Sequence, residues 1–472
     1  MAGFHHLVTI MTKKETSESE KPKLSKEQET ALATHLTTIE KCKSNETANF
    51  QALANAFFQI QEFKLYLYGD FKKESAFFKA KLGYSYQHSQ RLMNEGRLLN
   101  RLVDSPAGEN VVKLFTGDRH MRPLLKYDAA KQDAAIDLAQ RWMEWAGTTE
   151  LSSKLMEAAV VFLNPPERPK SEESESAKLA DQFRELVEKE KTKLPEKTDK
   201  SILKVFDNLA KQALALGGPR RTTGIGWTDA TWNPLQGCTR VSKGCDNCYA
   251  AREVATRRKY IYPGLAKVLE NGKCVFTGKI QLLPERLAEP LLHKPPTRYF
   301  VNSVSDLFHK GVLEEFIDAV FTVMEMASWH EFQVLTKRPE RMSNYTQKRY
   351  KDRQPPANIW LGTSTEDQST FDERYRHLKN TKAAVCWLSV EPLLSTINFR
   401  KMAGIDWVVV GGESGEGRRE VPVEDILNVA DQCNTAGIPV YVKQDWAGKP
   451  GKKGRIPDEY WEMKQYPKVK DK

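Results

Sequence analysis

Apolar residues recur at helical spacing from about residue 29 to residue 164, as in FQALANAFF from Phe50 and in AAIDLAQRWMEW. A 3.6-residue period of this kind predicts an all-α N-terminal domain over 29–165. Pro165, Pro166 and Pro169 interrupt it. Residues 166–220 read as a charged linker with two helices, ADQFRELVEKEK and SILKVFDNLAKQALAL, the second stopped by Gly217-Gly218-Pro219. After Arg221 the period changes. Short β-type runs at 299–303, 332–335, 359–362, 385–389, 407–410 and 440–442 alternate with helical stretches such as VLEEFIDAVFTVMEMA and VEDILNVADQCNTAG. Strand–helix alternation predicts parallel βαβ units, and their number suits a partial (β/α) barrel over 221–462. The polar stretch 1–28 is expected to be a disordered tail, with Met1 or Met11 as the start, and 463–472 a basic tail.

Charge sharpens this division. The net charge of +10 is concentrated in residues 201–300, which carry 16 Lys/Arg against 7 Asp/Glu, whereas residues 1–200 are nearly neutral. A phosphate-bearing partner near that stretch, nucleic acid first, accounts for the excess; a solvated surface is the plain alternative. No apolar run reaches the ~18 residues of a membrane span, and the N-terminus lacks the features of a secretory signal. Seven cysteines in a long charged chain do not read as a disulfide framework. A cytoplasmic protein is expected.

Within the helical region, ESAFFKAKL, the turn Gly83-Tyr84-Ser85 and YQHSQRLMNEGRLLNRL form a helix-turn-helix-like pattern, with Ser85 available as N-cap. Tyr86, Gln87, Ser89, Gln90 and Arg91 are then the side chains a recognition helix presents to DNA. An ordinary helical hairpin fits the same pattern. Residues 46–164, with LYLYGDFKKESAFFKAKLGYSYQHSQRLMNEGRLL followed by HMRPLLKYDAAKQDAAIDLA, resemble helical modules of phage and plasmid DNA-binding proteins.

Chemistry concentrates in TDATWNPLQGCTRVSKGCDNCYAAR. Cys238, Cys245 and Cys248 cluster there, and the C-x2-C pair brings two thiolates to one side of a turn, suited to one metal. Gly237 and Gly244 each precede a cysteine and leave the backbone room to fold around it. Three sulfurs leave a tetrahedral zinc site one ligand short. Cys274, His293 or His309 are candidates for the fourth, or the fourth position stays open.

The blocks GWTDATWNPLQGCTRVSKGCDNCYA, FVNSVSDLFH, FQVLTKRPERM, IWLGTSTEDQ, WLSVEPLL, DWVVVGGESGEGRR and YVKQDW, spread over 226–446, resemble the phage Gp37/Gp68 family, a three-cysteine-motif group similar in turn to radical-SAM proteins. That resemblance implies a radical-SAM-type partial barrel. In it Cys238, Cys245 and Cys248 hold a [4Fe–4S] cluster whose open iron takes S-adenosylmethionine. This chain has six residues between the first two cysteines, where such motifs usually have three. It has Asn247 where an aromatic usually stands, with Tyr249 one place after the last cysteine.

Polar residues follow each expected strand: Asn302, Ser303, Ser305 and Asp306; Thr336, Lys337 and Arg338; Thr363, Ser364, Glu366 and Asp367; Ser389 and Glu391; Glu413 and Ser414; Lys443 and Gln444. Sites in parallel α/β folds lie at the C-terminal strand ends; helix capping accounts for some of these residues as well. Asn302, Ser303, Asp306, Thr363, Ser364, Glu366, Ser389, Gly411, Gly412, Glu413 and Ser414 are the expected cosubstrate contacts. Gly411-Gly412-Glu413 is similar to the Gly-Gly-Glu segment that meets the methionine amino group in radical-SAM enzymes. Lys337, Glu391 and Lys443 are the expected catalytic groups. Arg338, with Arg257, Arg258 and Lys259, is expected to meet nucleic acid, the last three beside Tyr260 and Tyr262. The run after Gly412 lacks the Gly-Lys-Ser/Thr ending of a phosphate loop. Two functions stay open: an iron–sulfur, S-adenosylmethionine-dependent enzyme acting on nucleic acid, with an electron donor as partner, and a non-enzymatic DNA-binding regulator with structural zinc.

Overall fold

A computed structural model describes residues 24–46, 49–67, 71–105, 108–168, 223–257, 259–399 and 402–468. Most of the expected linker, most of the N-terminal tail, Arg258 and residues 469–472 lie outside the described residues. The chain divides into two compact units, residues 1–133 with 150–153, and 134–149 with 154–472. The division therefore falls inside the helix Ala129–Ala146 rather than at residue 165.

The first unit is helical. Its first described helix, Lys26–Cys42, starts with a capping box in which Ser25 and Gln28 satisfy each other's backbone N–H groups, so residues 26–28 of the stretch expected as a tail are helical. Two longer helices, Phe50–Glu62 and Tyr86–Val103, bury Leu53, Phe57, Ile60, Leu92, Leu99 and Leu102. They cross at Gly96, where a Cβ would lie 2.2 Å from the Ala54 carbonyl oxygen. Gly96→Ala is expected to lower stability by about 1–3 kcal/mol through overpacking, read as an earlier urea midpoint. Ser85 caps the second of these helices by accepting from the His88 N–H, and Gly83 before it takes the left-handed conformation, φ +76°.

The second unit holds a seven-stranded sheet. Its strands in chain order are β1 (Ala230–Trp232), β2 (Leu235–Gln236), β3 (Ala266–Val268), β4 (Cys274–Phe276), β5 (Gln281–Leu282), β6 (Arg298–Val301), β7 (Glu331–Thr336), β8 (Ile359–Ser364), β9 (Val385–Val390), β10 (Trp407–Gly411) and β11 (Val440–Gln444). The order β1-β6-β7-β8-β9-β10-β11 is parallel throughout, a curled half-barrel sheet of the partial α/β type. All six strands expected from the sequence are present. The helices Glu314–Met326, Pro339–Arg349, Gln368–Leu378 and Val423–Ala436 connect them. The short strands β2–β5 form two antiparallel pairs between β1 and β6 and were not expected.

Side chains alternate across the strands. One set, Phe332, Val334, Leu361, Leu388, Val408, Val410 and Val442, is fully buried. The other gathers Phe300, Trp360, Trp387, Trp407 and Tyr441 with Trp227 into an aromatic cluster. Ring centroids there lie 5.3 Å apart for Trp227–Trp387 and 5.1 Å for Trp387–Trp407. Gly362 has no side chain because the Trp387 indole occupies its place, 2.4 Å from where a Cβ would stand. Trp227 and Trp232, 3 % and 1 % exposed, belong to this unit's core. The chain after β11 continues the domain: Trp407 donates to the Gln465 carbonyl, and Tyr466 stacks on Trp407 and carries the Arg298 guanidinium at 4.1 Å. Residues 463–466 are thus part of the barrel rather than of a tail. No described helix is long and apolar enough to cross a membrane.

Candidate metal centre at the strand ends

The loop carrying Cys238, Cys245 and Cys248 lies over the C-terminal ends of the parallel strands, and the strand ends hold it. Gly237 pairs with Ser305, whose hydroxyl donates to the Leu235 carbonyl. From the turn after β7, Arg338 donates to both Thr239 oxygens and lies 3.8 Å from the Cys238 sulfur, while Asp306 grips the same guanidinium at 2.6 Å. After β8, Glu366 accepts from Ser242 at 2.8 Å and pairs with Lys337 and Arg374, each at 3.2 Å. After β10, Glu413 accepts from Asn247 at 2.9 Å and from Arg419 through three bonds. Three acidic residues on three strand ends therefore clamp one loop.

This corrects several expected roles. Both Glu413 oxygens are engaged, Oε2 by Asn247 and Arg419 and Oε1 by Arg419, so Glu413 anchors the Cys245–Cys248 turn. Gly412 is glycine because the backbone of Trp446 lies 2.6 Å from where its Cβ would stand, and Gly411 packs the same way against Glu391 and Gln444. Asp306 is saturated by Thr336, Phe308, Lys337 and Arg338. Arg338 is committed inside the site and is not free for phosphate. Thr363 belongs to the strand alternation opposite the aromatic cluster and donates to the Thr336 carbonyl. The room beside Gly244 and Gly237 is taken by protein: a Cβ at Gly244 would sit 2.4 Å from Glu366, and one at Gly237 2.0 Å from the Lys279 carbonyl.

Other expected residues do face one another. Lys443 and Glu391 form an ion pair at 2.9 Å, both largely buried. Asn302 adopts φ +66°, is 2 % exposed, and neither of its side-chain amide atoms has a partner. Ser364 and Ser389 are buried neighbours across β8 and β9. Ser303 bonds Asn233 and, through its carbonyl, Tyr249; Ser414 pairs with Ala447.

All three thiols are free and half-buried. Burial, reinforced by Asp306, pushes the Cys238 thiol up to about 12 against the pull of Arg338. Burial raises Cys248 too, opposed by the Ala250 and Ala251 N–H groups and by Lys337. Cys238 and Cys248, and Cys248 and Cys245, feel each other's charge. Among the described residues no group of three or more His, Cys, Asp or Glu side chains is placed so that it could hold a metal ion, and the three cysteines share one loop without converging into such a group. For Glu366, burial is outweighed by Lys337 and Arg374, which hold its carboxyl below the usual range.

The expected histidine ligands are elsewhere or occupied. His309 has both ring nitrogens engaged, with Thr239 and with the Gly311 N–H. His293 stacks on His330 beside Thr297, at the N-terminal ends of β6 and β7. Cys274 packs with Ala251 and Ala255 in an apolar cluster that Cys248 borders. On the outer surface Arg257 is 82 % exposed with only a weak Glu253 pair, and Lys259 lies over the exposed Tyr260 ring. In the first unit Tyr86 and Gln87 are exposed. Ser89 is fully buried and donates to Ser85, Gln90 reaches Glu74, and Arg91 faces Glu95 and Asp118. Only Tyr86 and Gln87 of that expected reading face are thus turned fully outward.

The arrangement defines an α/β half-barrel with a cysteine loop clamped across its strand ends. Residues 222–465 match the family described as a protein of unknown function, DUF5131, and the chain belongs to that family. Neither the curated proteins nor the solved structures provide a match.

Proposed function

We propose that the protein is an iron–sulfur, S-adenosylmethionine-dependent enzyme of radical-SAM type that acts on nucleic acid in a phage or mobile-element setting, in a reducing cytoplasm with an electron donor as partner. One observation carries the reading. Three free thiols sit on one loop held over the C-terminal ends of a parallel half-barrel, and each sulfur has a donor beside it: Arg338 at Cys238, the Val241 N–H at Cys245, and the Ala250 and Ala251 N–H groups at Cys248. Such donors oppose the burial that holds Cys238 and Cys248 as thiols, and a bound metal would complete the shift to the thiolate, the form that binds iron. Cys238, Cys245 and Cys248 are the residues that would draw together to hold a [4Fe–4S] cluster, which with S-adenosylmethionine would supply one-electron reduction of a sulfonium and so hydrogen abstraction from a substrate.

The chain's own groups do the rest. Asn302, Ser364 and Ser389 offer unspent polar atoms for a cosubstrate. Lys443, paired with Glu391, holds a proton at its Nζ in a largely buried position, and Lys337 brings a second ammonium to the same rim. Asp306, Glu366 and Glu413 position the loop. Arg257, Lys259 and Tyr260, with Tyr86 and Gln87 on the helical unit, are the surfaces offered to nucleic acid.

Structural zinc in a DNA-binding regulator is the second reading, with Cys274, buried in the apolar cluster that Cys248 borders, as its candidate fourth ligand. Metal analysis of anaerobically purified protein separates the two. Iron with sulfide-dependent visible absorbance, lost in the Cys238→Ala/Cys245→Ala/Cys248→Ala variant and kept in Cys274→Ala, is the expected outcome. Stoichiometric zinc that disappears in Cys274→Ala would overturn the enzymatic reading.

A further inference from the structure

The first unit contains a cleft of about 550 Å³, within the helical region and apart from the cysteine loop. Its floor is apolar, from Phe50, Leu53 and Leu92, and its wall carries Arg91, Arg119 and Arg122 together with Glu46 and Asp118, the last paired to Arg122. Three residues of its lining carry a buried polar atom with no hydrogen-bond partner, namely His88 Nε2 (3.6 Å from a Glu46 carboxylate oxygen), Arg91 Nε and His120 Nδ1, and next to Arg91, outside the lining, both carboxylate oxygens of Glu95 lack one too. The Glu95 side chain is wholly buried. Its nearest cation, Arg91, stands 3.6 Å away, and Asp118 is 3.8 Å from the same guanidinium, both beyond hydrogen-bond reach. Arg119 is exposed and makes no ion pair among the described residues.

An unpaired buried polar group costs about 1–3 kcal/mol, and native proteins keep few of them. Three such atoms on the lining of one cleft point to a partner from outside the chain. The geometry points to a nucleoside phosphate. Guanidinium forks match phosphate oxygens, and Arg91 and Arg119 have donors to give. The apolar floor suits the face of a heterocycle. Burial holds both His88 and His120 below the usual imidazole range, so at neutral pH they offer one donor and one acceptor each, matching a base edge that also does both. The volume lies in the range of small-molecule pockets, roughly 300–1,000 Å³. Inorganic phosphate alone leaves the floor and the imidazoles unused.

Calorimetric titration of the full-length protein with the four common nucleoside 5′-monophosphates, the matching nucleosides, inorganic phosphate and a short single-stranded oligonucleotide tests this. At least one monophosphate should bind, with its nucleoside and inorganic phosphate each weaker by about tenfold or more, the loss expected when charge-assisted bonds are removed. Arg119→Gln, at an exposed position where folding is not at stake, should weaken that monophosphate by a similar factor. No heat with any monophosphate, binding indifferent to Arg119→Gln, or binding of the oligonucleotide alone would each overturn the assignment.

Discussion

Glu366→Ala should destabilise the barrel unit by about 3–5 kcal/mol, the usual cost of stripping one partner from a buried charge pair. The carboxylate is 1 % exposed, and the Arg374 side chain it holds is 3 % exposed. Removal leaves Arg374 with only the Ser364 carbonyl among its partners, leaves Lys337 without its anion, and frees Ser242 at the base of the cysteine loop. Denaturant unfolding followed by the fluorescence of the buried tryptophans measures the loss. Glu366→Gln, which keeps shape and one acceptor, should recover part of it. If Glu366→Ala unfolds within about 1 kcal/mol of the parent, the triad is screened by water and the clamp on the loop is weak.

The second large effect has the opposite origin. Glu95 is buried beside cations that do not bond it, and desolvation lifts its carboxyl to about 7 from an ordinary 4.5, against Arg91 and Arg122 and with help from Asp118. Because the folded state binds this proton more tightly than the unfolded chain, the stability tied to it is complete below pH 4.5 and falls as pH rises through 7. Glu95→Gln removes the titration. The stability of the variant minus that of the parent should therefore grow by about 3 kcal/mol between pH 4 and pH 8, at ~1.4 kcal/mol per pKa unit. Chemical denaturation of the helical unit at several pH values reads this directly. A difference that stays flat with pH would mean that water already solvates the carboxylate.

The two glutamates also show where sequence reading stops. Six barrel strands were legible because a strand buried on both faces is a run of Val, Leu, Ile and Trp ended by polar residues, as in the VCWLSV of β9 and the WVVVG of β10. β1, at three residues, and the two-residue β2 and β5 are too short to carry a period. That three cysteines share one loop was legible from the spacing; that no metal-holding group of three forms among the described residues was not. The role of the strand-end polar residues was not. Glu366 and Glu413 were expected to face a ligand, yet they turn onto Ser242 and Asn247, more than a hundred residues earlier in the chain. Pairing at that separation leaves no local pattern. Gly244 did carry a signal, a need for space, but the sequence could not say that a glutamate side chain fills it. In the helical unit, Ser89 and Arg91 had the residue types of a DNA-reading face. Their direction was set by packing against neighbours that periodicity does not rank.

The segment after β11 bears on how the barrel avoids sticking to its own kind. An open parallel sheet has two margins of unpaired backbone, each a template for another chain. At β11 that margin is closed from within: the Val442 N–H donates to Met463, the Gln465 N–H to Val440, and Tyr441 bridges Lys464 in antiparallel sense. A clone trimmed at residue 462 would therefore lay bare a sticky border and strip a hydrogen bond from Trp407, inviting fibrillar self-association without touching a single cysteine.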